Sequence, residues 1–225
     1  MARVETAFLF DLDGTLVDSV YQHVLAWREA LDAEGIELSV WRIHRKIGMS
    51  GGLFTNMLLR ETGLAIDAER VDRLRARHAE AYRRLSADVR PLPGARELLA
   101  FLADAEIPWA IATSGRMETA GPVLETLGVD PGRAVVITRD QVKYAKPDPD
   151  LFLAAAERLG VPIGGASVVG DAVWDMLAAR RARSLGIGLL SGGYGLGELE
   201  RAGAYRVYED PADLLVHIDE VGGRR

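Results

Sequence analysis

The chain has 225 residues and a net charge of −6, from 27 basic and 33 acidic side chains. This charge balance does not support a general binder of nucleic acids or of anionic membranes. Cysteine is absent, which excludes disulfides and thiolate zinc sites. The chain has no apolar run long enough for a membrane span and no signal peptide at its first residues, so we expect a soluble, cytoplasmic protein.

The first predicted element is a short apolar run, residues 6–10, which has the composition of a buried strand. Asp11 and Asp13 follow it at once, and side chains two residues apart in an extended segment project the same way. Two carboxylates that close repel each other unless a cation or a shared proton relieves the repulsion. Because Asp and Gly14 are also common turn residues, this motif alone fits an ordinary turn equally well.

A block without strand-like segments follows, from residue 18 to residue 88. Apolar residues at helical spacing predict helices over 19–34, 40–47, 53–61 and 67–85, with a glycine-rich loop at 48–52. This pattern predicts a small helical bundle inserted after the first strand. We therefore assign residues 18–88 to an inserted cap, and residues 1–17 and 89–225 to an α/β core.

Beyond Pro93, short apolar runs alternate with amphipathic helices, which is typical of a parallel sheet. Strands are predicted at 108–112, 134–138, 166–170, 185–190 and 205–207. Helices are predicted at 94–104, 116–127, 149–159, 172–183 and 196–201, and from 211 onward. The predicted fold class is α/β, a Rossmann-like parallel sheet with helices on both faces and the inserted helical cap.

Two polar groups in the core follow predicted strands directly. Thr113, Ser114 and Gly115 precede a helix, where a hydroxyl and free backbone N–H groups would point at an anion. Asp171 ends a later strand, and Asp175 lies one helical turn farther on the same face, a spacing that suits a cation. Helix capping is the alternative for both groups.

A third group is the Lys146-Pro147 pair, in the loop before the helix predicted at 149–159. The proline disfavours helical geometry at Lys146 and can hold it extended. A solvated surface lysine is the alternative. Since ligands of open parallel sheets bind at the carboxyl ends of the strands, we expect all these groups to meet there.

Asp11-x-Asp13-Gly-Thr, Thr113, Lys146-Pro, and Gly-Asp171 with Asp175 match, in order, the four motifs of the haloacid dehalogenase-like hydrolases. The resemblance covers nearly the whole chain, because the helical insertion resembles the cap of that family. It is greatest to the phosphoglycolate phosphatase and β-phosphoglucomutase-like branch. The dehalogenases themselves do not carry the second aspartate, so Asp13 favours phosphate chemistry.

The resemblance implies a Mg²⁺-dependent phosphatase acting on a small phosphate monoester, such as a sugar phosphate or phosphoglycolate. Asp11 would attack the phosphorus and carry an aspartyl-phosphate, and Asp13 would act as general acid and then general base. Lys146 and Thr113 would bind phosphoryl oxygens. The implied magnesium ligands are the Asp11 and Asp171 carboxylates and the Asp13 backbone carbonyl, with Asp175 contributing directly or indirectly.

The resemblance also indicates where the substrate binds, since in this family the cap closes over the site and supplies specificity. The candidate substrate-binding residues are Ser114, Gly115, His23, Arg45, Lys46 and Gly48. His44, beside the two cationic residues, belongs to the same candidate region. A solvated helix face is the alternative for these basic side chains.

Other functions stay open at this point. In β-phosphoglucomutase an arginine of the cap loop binds a second phosphate, whereas Gly51 occupies the matching place here, which favours a phosphatase over a mutase. A phospho-acceptor domain or an inactive scaffold is also possible, although the insertion and the complete set of catalytic groups argue against both. We expect a monomer or weak dimer whose partner is a small phosphorylated metabolite, with no nucleic acid or membrane partner.

Overall fold

The computed structural model of the protein describes residues 6–64 and 67–224, without the side chains at 51, 52, 55 and 59. Its centre is a six-stranded sheet in the order β3-β2-β1-β4-β5-β6, and every neighbouring pair is parallel. The strands are β1 (Ala7–Phe10), β2 (Trp109–Ala112), β3 (Val135–Ile137), β4 (Ala166–Gly170), β5 (Leu185–Leu189) and β6 (Ala204–Tyr208). The predicted Rossmann-like parallel sheet is therefore confirmed.

Helices fill the connections that the sequence pattern predicts. They are α1 (Val20–Ala33), α2 (Val40–His44), α3 (Gly51–Thr62), α4 (Ala68–Leu85), α5 (Ala95–Asp104), α6 (Met117–Leu127), α7 (Asp150–Leu159), α8 (Val173–Ala182), α9 (Leu196–Ala202) and α10 (Pro211–Val216). Asp67 caps α4 by accepting a hydrogen bond of 2.7 Å from the Arg70 backbone. Within the described residues, no helix has both the length and the apolar character that crossing a bilayer requires.

Alternate residues of β1 face opposite sides of the sheet, and each side has its own apolar layer. Phe8 and Phe10 pack into a layer shared with α5, α6 and α10. Ala7 and Leu9 pack into a layer shared with α7 and α8. Because β1 is buried on both faces, it has the continuous apolar run of a central strand.

Helices α1 to α4 lie between β1 and α5 and have a separate apolar cluster that includes Val24, Leu31 and Leu58. The two segments that join them to the sheet run side by side. The Asp18 backbone donates to the Arg90 carbonyl and the Leu92 backbone donates to the Leu16 carbonyl, both at 2.9 Å. The division at residues 18 and 88 remains a prediction.

Candidate active site

The polar side chains that were predicted to follow the strands lie together at the carboxyl ends of the strands. Asp11 follows β1 and Thr113 follows β2; the backbone N–H of each donates 2.9 Å to a carbonyl of the neighbouring strand. Asp171 follows β4, so three adjacent strand ends each present one polar side chain. Asp11, Thr113 and Asp171 are all buried, which keeps them at the bottom of the site.

Lys146 joins two of the buried acids. Its ammonium group contacts the Asp11 carboxylate and lies 2.8 Å from Oδ1 of Asp175. The lysine side chain is fully buried, so the solvated surface alternative does not hold. Burial alone would lower the pKa of Lys146, but the Asp11 and Asp175 carboxylates outweigh burial and raise it. The side chain is therefore a fixed cation in the site.

Carboxylate oxygens of Asp11, Asp171 and Asp175 all lie within 4.8 Å of one another. Burial first, then the neighbouring carboxylates, raises the pKa of Asp11 to about 7 and that of Asp171 well above its usual value. Three carboxylates against one ammonium leave an excess of negative charge when all are ionised. Oxygen ligands with this excess fit a hard divalent cation such as Mg²⁺.

Close packing of backbone holds the Asp171 carboxylate in place. Thr15 donates a 2.9 Å hydrogen bond to its Oδ1. A Cβ on Gly192 would lie 1.7 Å from its Oδ2, and one on Gly14 would lie 2.6 Å from the same atom. Gly14 also has φ +85°, so glycine is required there for both space and conformation.

Asp13 points away from the carboxylate cluster, toward the inserted helices. Its Oδ1 accepts a 2.6 Å hydrogen bond from Ser19 and lies 3.2 Å from Nε2 of His23. Burial would raise the pKa of Asp13, but His23 and then Ser19 outweigh burial and lower it. The side chain of Asp13 therefore lies outside the carboxylate cluster. Only its backbone carbonyl remains as a candidate metal ligand.

His23 belongs to a stack of rings on the inserted helices. Its Nδ1 lies 3.1 Å from Nε2 of His78, and its ring stacks on Tyr82 with centroids 3.8 Å apart. His78 also stacks on Trp27 at 4.2 Å, and Trp27 contacts Phe54 at 4.3 Å. Burial, followed by the proximity of His23, holds the pKa of His78 well below its usual value.

A cavity of about 290 Å³ opens above Asp11 and Asp13. The core side contributes Thr113, Ser114 and Gly115, and the inserted helices contribute an opposing wall of Trp27, Ile47, Gly48, Met49, Phe54 and His78. The hydroxyl of Ser114 donates a 2.9 Å hydrogen bond to the Gly48 carbonyl, which closes one side of the cavity. A ligand there would touch Asp11 and Asp13 at one end and aromatic rings at the other.

Two of the predicted substrate-binding residues, Arg45 and Lys46, form ion pairs with acidic side chains. Arg45 does not line this cavity; its guanidinium lies over Tyr194 and 3.2 Å from Glu198. Lys46 does line it, but its ammonium is buried and 2.7 Å from Glu61. Both residues lie in the turn after α2, where acidic side chains already pair with their charges, so their contact with the substrate stays a prediction.

His44 likewise contacts the core. It is buried, and its Nε2 lies 2.8 Å from the Gly192 carbonyl. The next residues add two more contacts to core loops: the Ser50 backbone donates 2.8 Å to the Lys146 carbonyl, and the Tyr194 hydroxyl donates 3.1 Å to the Arg45 carbonyl. This segment of the cap is thus held against the loops that carry the site.

Sequence reasoning did not identify His78 or Phe54, although both line the cavity. A signal for His78 was present, since Leu74, His78, Ala81 and Tyr82 occupy one face of α4 at helical spacing. No local signal indicates that this face lies beside Asp13, because that contact depends on how α4 packs on α1. Arg116 and Arg139, in the segments that follow β2 and β3, also line the cavity and were not predicted.

Comparisons with known proteins agree with this geometry. Residues 5–183 match the family model described as haloacid dehalogenase-like hydrolase. The chain is 35% identical over 177 residues to hexitol phosphatase A of Escherichia coli (strain K12), covering 78% of each protein. It is 32% identical over 188 residues to a phosphoglycolate phosphatase of Agrobacterium fabrum, covering 82% of this chain and 80% of that protein.

Among solved structures, the crystal structure of a hydrolase from Pseudomonas syringae has a TM-score of 0.95 and 61% sequence identity. The alignment covers 96% of this chain and 99% of that one. The family model spans most of the chain, and these relatives exceed 30% identity over more than two thirds of it. The chain therefore belongs to the haloacid dehalogenase-like hydrolase family.

Proposed function

We propose that this protein is a Mg²⁺-dependent phosphatase that hydrolyses a small phosphate monoester through an aspartyl-phosphate on Asp11. One observation carries the proposal: a fully buried lysine contacts Asp175 and Asp11, and Asp11 lines a cavity together with Thr113. An anionic nucleophile can approach an anionic phosphate only where positive charge offsets the repulsion between them.

In the first step, an Asp11 carboxylate oxygen attacks the phosphorus, and the bond from phosphorus to the leaving oxygen breaks. Asp13 donates its proton to that oxygen, so the product leaves as a neutral alcohol. In the second step, Asp13 accepts a proton from water as the water attacks the same phosphorus. Inorganic phosphate leaves, and the Asp11 carboxylate and protonated Asp13 are restored.

Asp13 is suited to both steps by its position on the cavity wall. Its present partners are Ser19, which directly precedes α1, and His23 on α1, and they favour the ionised form of Asp13. A rotation of the side chain that exchanges these contacts for the leaving oxygen would raise its pKa again and let it carry the proton that the first step needs. Thr113 and the backbone N–H groups of the loop that follows would bind phosphoryl oxygens, and Lys146 would neutralise one of them.

The residues that would hold Mg²⁺ are Asp11 and Asp171 through their carboxylates, Asp13 through its backbone carbonyl, and Asp175 directly or indirectly. When bound, the ion supplies positive charge that offsets the carboxylates and the phosphate together. The closely spaced carboxylates and the raised pKa of Asp11 and Asp171 support this assignment.

The substrate class rests on the relatives and on the size of the cavity. The relatives are named as phosphatases of hexitol phosphates and of phosphoglycolate, both small phosphorylated metabolites. A cavity of about 290 Å³ suits a molecule of that size. Gly51, the first residue of α3, has no side chain to bind a second phosphate, so a mutase remains the less favoured alternative.

The test is release of inorganic phosphate from p-nitrophenyl phosphate with and without Mg²⁺, followed by a panel of hexitol phosphates, phosphoglycolate and nucleotides. We expect turnover that requires Mg²⁺ and is abolished by Asp11→Asn, with the fold retained. Asp104→Asn, at an exposed position, is the matched control and should keep full activity. Full activity of Asp11→Asn would reject Asp11 as the nucleophile, and no turnover by the wild type would reject the phosphatase.

A further inference from the structure

A second cavity of about 290 Å³ lies between the inserted helices and the core, and the proposed reaction does not use it. We call it the seam cleft and define it by the residues that line it: Trp41, Arg42, Arg45, Lys46, Met57, Glu61, Val173, Trp174, Tyr194 and Glu198. Six of these residues belong to α2, α3 and the turn after α2, and four to α8, α9 and the loop before α9. Among the described residues, Lys46 alone lines both this cleft and the cavity above Asp11.

The seam cleft carries an excess of positive charge on a chain that is acidic overall. Three of its lining residues are cationic (Arg42, Arg45 and Lys46) and two are acidic (Glu61 and Glu198), so one positive charge is left over. Glu61 lies 2.7 Å from Lys46 but 3.7 Å from Arg42, which leaves the arginine loosely paired. An anionic ligand would neutralise the remaining positive charge.

Arg45 adds a donor that has no acceptor. One of its terminal nitrogens, Nη2, lies 3.2 Å from Glu198. The other, Nη1, is buried and makes no hydrogen bond within the described part of the chain. Leaving a buried donor unpaired costs free energy, and a carboxylate or phosphate oxygen in the cleft would satisfy it.

The rest of the lining is aromatic. The indole of Trp41 is 62% exposed and lies beneath the Arg42 guanidinium, at 5.0 Å from its centroid. Trp174 and Tyr194 lie on the opposite, core side, where their polar atoms already donate to the Arg45 carbonyl. Exposed tryptophans beside arginines are typical of surfaces that bind flat rings.

We propose that the seam cleft is a regulatory site for a small flat anion, an aromatic ring that carries one carboxylate or phosphate. Its ring would lie against Trp41 and its anionic group would accept from Arg45. Since the two walls come from the cap and the core, such a ligand binds the closed cap more tightly than the open one and shifts the population toward the closed state. Because product leaves through the open state, occupancy lowers kcat.

The binding test uses 2-naphthoate as the probe, with saturating inorganic phosphate and Mg²⁺ present to occupy the catalytic cavity. Isothermal titration should detect binding of 2-naphthoate. Naphthalene-2-methanol, which keeps the ring without the charge, and cyclohexanecarboxylate, which keeps the charge without the flat ring, should bind at least about tenfold more weakly. Absence of binding while phosphate saturates the catalytic cavity would overturn the proposal.

Two variants locate the site. Trp41→Ala removes an exposed side chain, and Arg45→Met removes the charge but keeps the aliphatic stem; each should weaken binding at least about tenfold. Trp41→Ala should keep the wild-type kcat in the absence of the probe. Unchanged affinity in both variants would place 2-naphthoate elsewhere and reject the seam cleft.

The kinetic test rests on the proposed phosphatase activity, whereas the titration does not. Saturating 2-naphthoate should lower kcat of the wild type and leave kcat of Trp41→Ala unchanged. Binding without any change in kcat would reject the coupling to cap opening. Absence of turnover in every sample would count against the phosphatase instead, while the titration would still decide whether the cleft binds the anion.

Discussion

The indole nitrogen of Trp174 donates a 3.2 Å hydrogen bond to the carbonyl of Arg45. Trp174 immediately precedes Asp175, so this bond joins the cap to the start of the helix that carries one acid of the site. The Tyr194 hydroxyl donates to the same carbonyl at 3.1 Å. One backbone oxygen of the cap therefore receives two donors from the core.

Trp174→Phe should remove the hydrogen bond to the Arg45 carbonyl while keeping most of the packing of the ring. We expect a loss of about 1 kcal/mol in the free energy of unfolding, the typical net value of one hydrogen bond. Urea denaturation measures it. Trp41→Phe is the matched control, because Trp41 is 62% exposed, and it should leave the stability unchanged. Equal stability of the two variants would argue against a stabilising role for the bond.

Gly192→Ala should weaken metal binding, because its Cβ would lie 1.7 Å from Oδ2 of Asp171 and must displace that carboxylate. We expect the affinity for Mg²⁺ to fall roughly tenfold or more, as for other changes that reorient a metal ligand. The measurement is a calorimetric titration with Mg²⁺.

The control for this change is Gly164→Ala, at an exposed position where a Cβ would meet no atom within 4 Å beyond the neighbouring residues of the chain. This variant should keep both its stability and its Mg²⁺ affinity. Normal Mg²⁺ binding by Gly192→Ala would show that Asp171 is not a ligand or that the loop adapts to the side chain.

Lys146→Met should abolish turnover and destabilise the fold. It removes the only ammonium group that contacts Asp11 and Asp175 within the described residues, and it leaves both carboxylates buried. Loss of one partner from a buried ion pair costs about 3 kcal/mol or more. Lys143→Met, an exposed lysine in the same loop, is the control for activity and for urea denaturation. Comparable turnover in both variants would remove Lys146 from the mechanism.

The contribution of Asp11 to the stability of the metal-free protein should fall as the pH rises from 3.8 to about 7, which the difference in Tm between the wild type and Asp11→Asn measures at each pH. Burial first, then Asp175 and Asp13, raises the pKa of Asp11 from 3.8 to about 7. Between these values the folded protein holds a proton that the unfolded chain has released, so raising the pH favours unfolding.

Mg²⁺ bound to the carboxylates would remove this penalty. The increase in Tm on adding Mg²⁺ should therefore be larger at about pH 8 than at about pH 5, as measured by calorimetry. The same increase at both pH values would contradict the assignment of Asp11 as a metal ligand. Inorganic phosphate is left out of these samples, so that only the cation is varied.

Trp27→Ala should alter the choice of substrate. Trp27 contacts Phe54 and His78 in the cavity wall opposite the catalytic acids, where the leaving group would lie. We expect KM for a hexitol phosphate to rise about tenfold, with kcat/KM for acetyl phosphate nearly unchanged, since that small substrate does not reach the wall. Trp27→Phe should retain most of the affinity. Equal losses for both substrates would indicate a structural role for the ring.

The sequence by itself was enough to predict the parallel sheet and the four motifs at its edge. Strand β1 and the residues after it, Asp11 and Asp13, illustrate why: a continuous apolar run is buried on both faces, and polar residues that follow it must emerge at the carboxyl end. The alternation of short apolar runs with helical patterns then orders the remaining strands. These are local signals, carried by neighbours in the chain.

Only the tertiary structure decided how the charges on the cap are used. Arg45 and Lys46 are adjacent basic residues on the predicted binding segment, yet one lies over Tyr194 and the other is buried against Glu61. His78 was not predicted, but it lies 3.1 Å from His23 in the cavity wall. The rotation of each helix about its axis is set by packing between residues distant in the chain, and that rotation determines which side chains face the site.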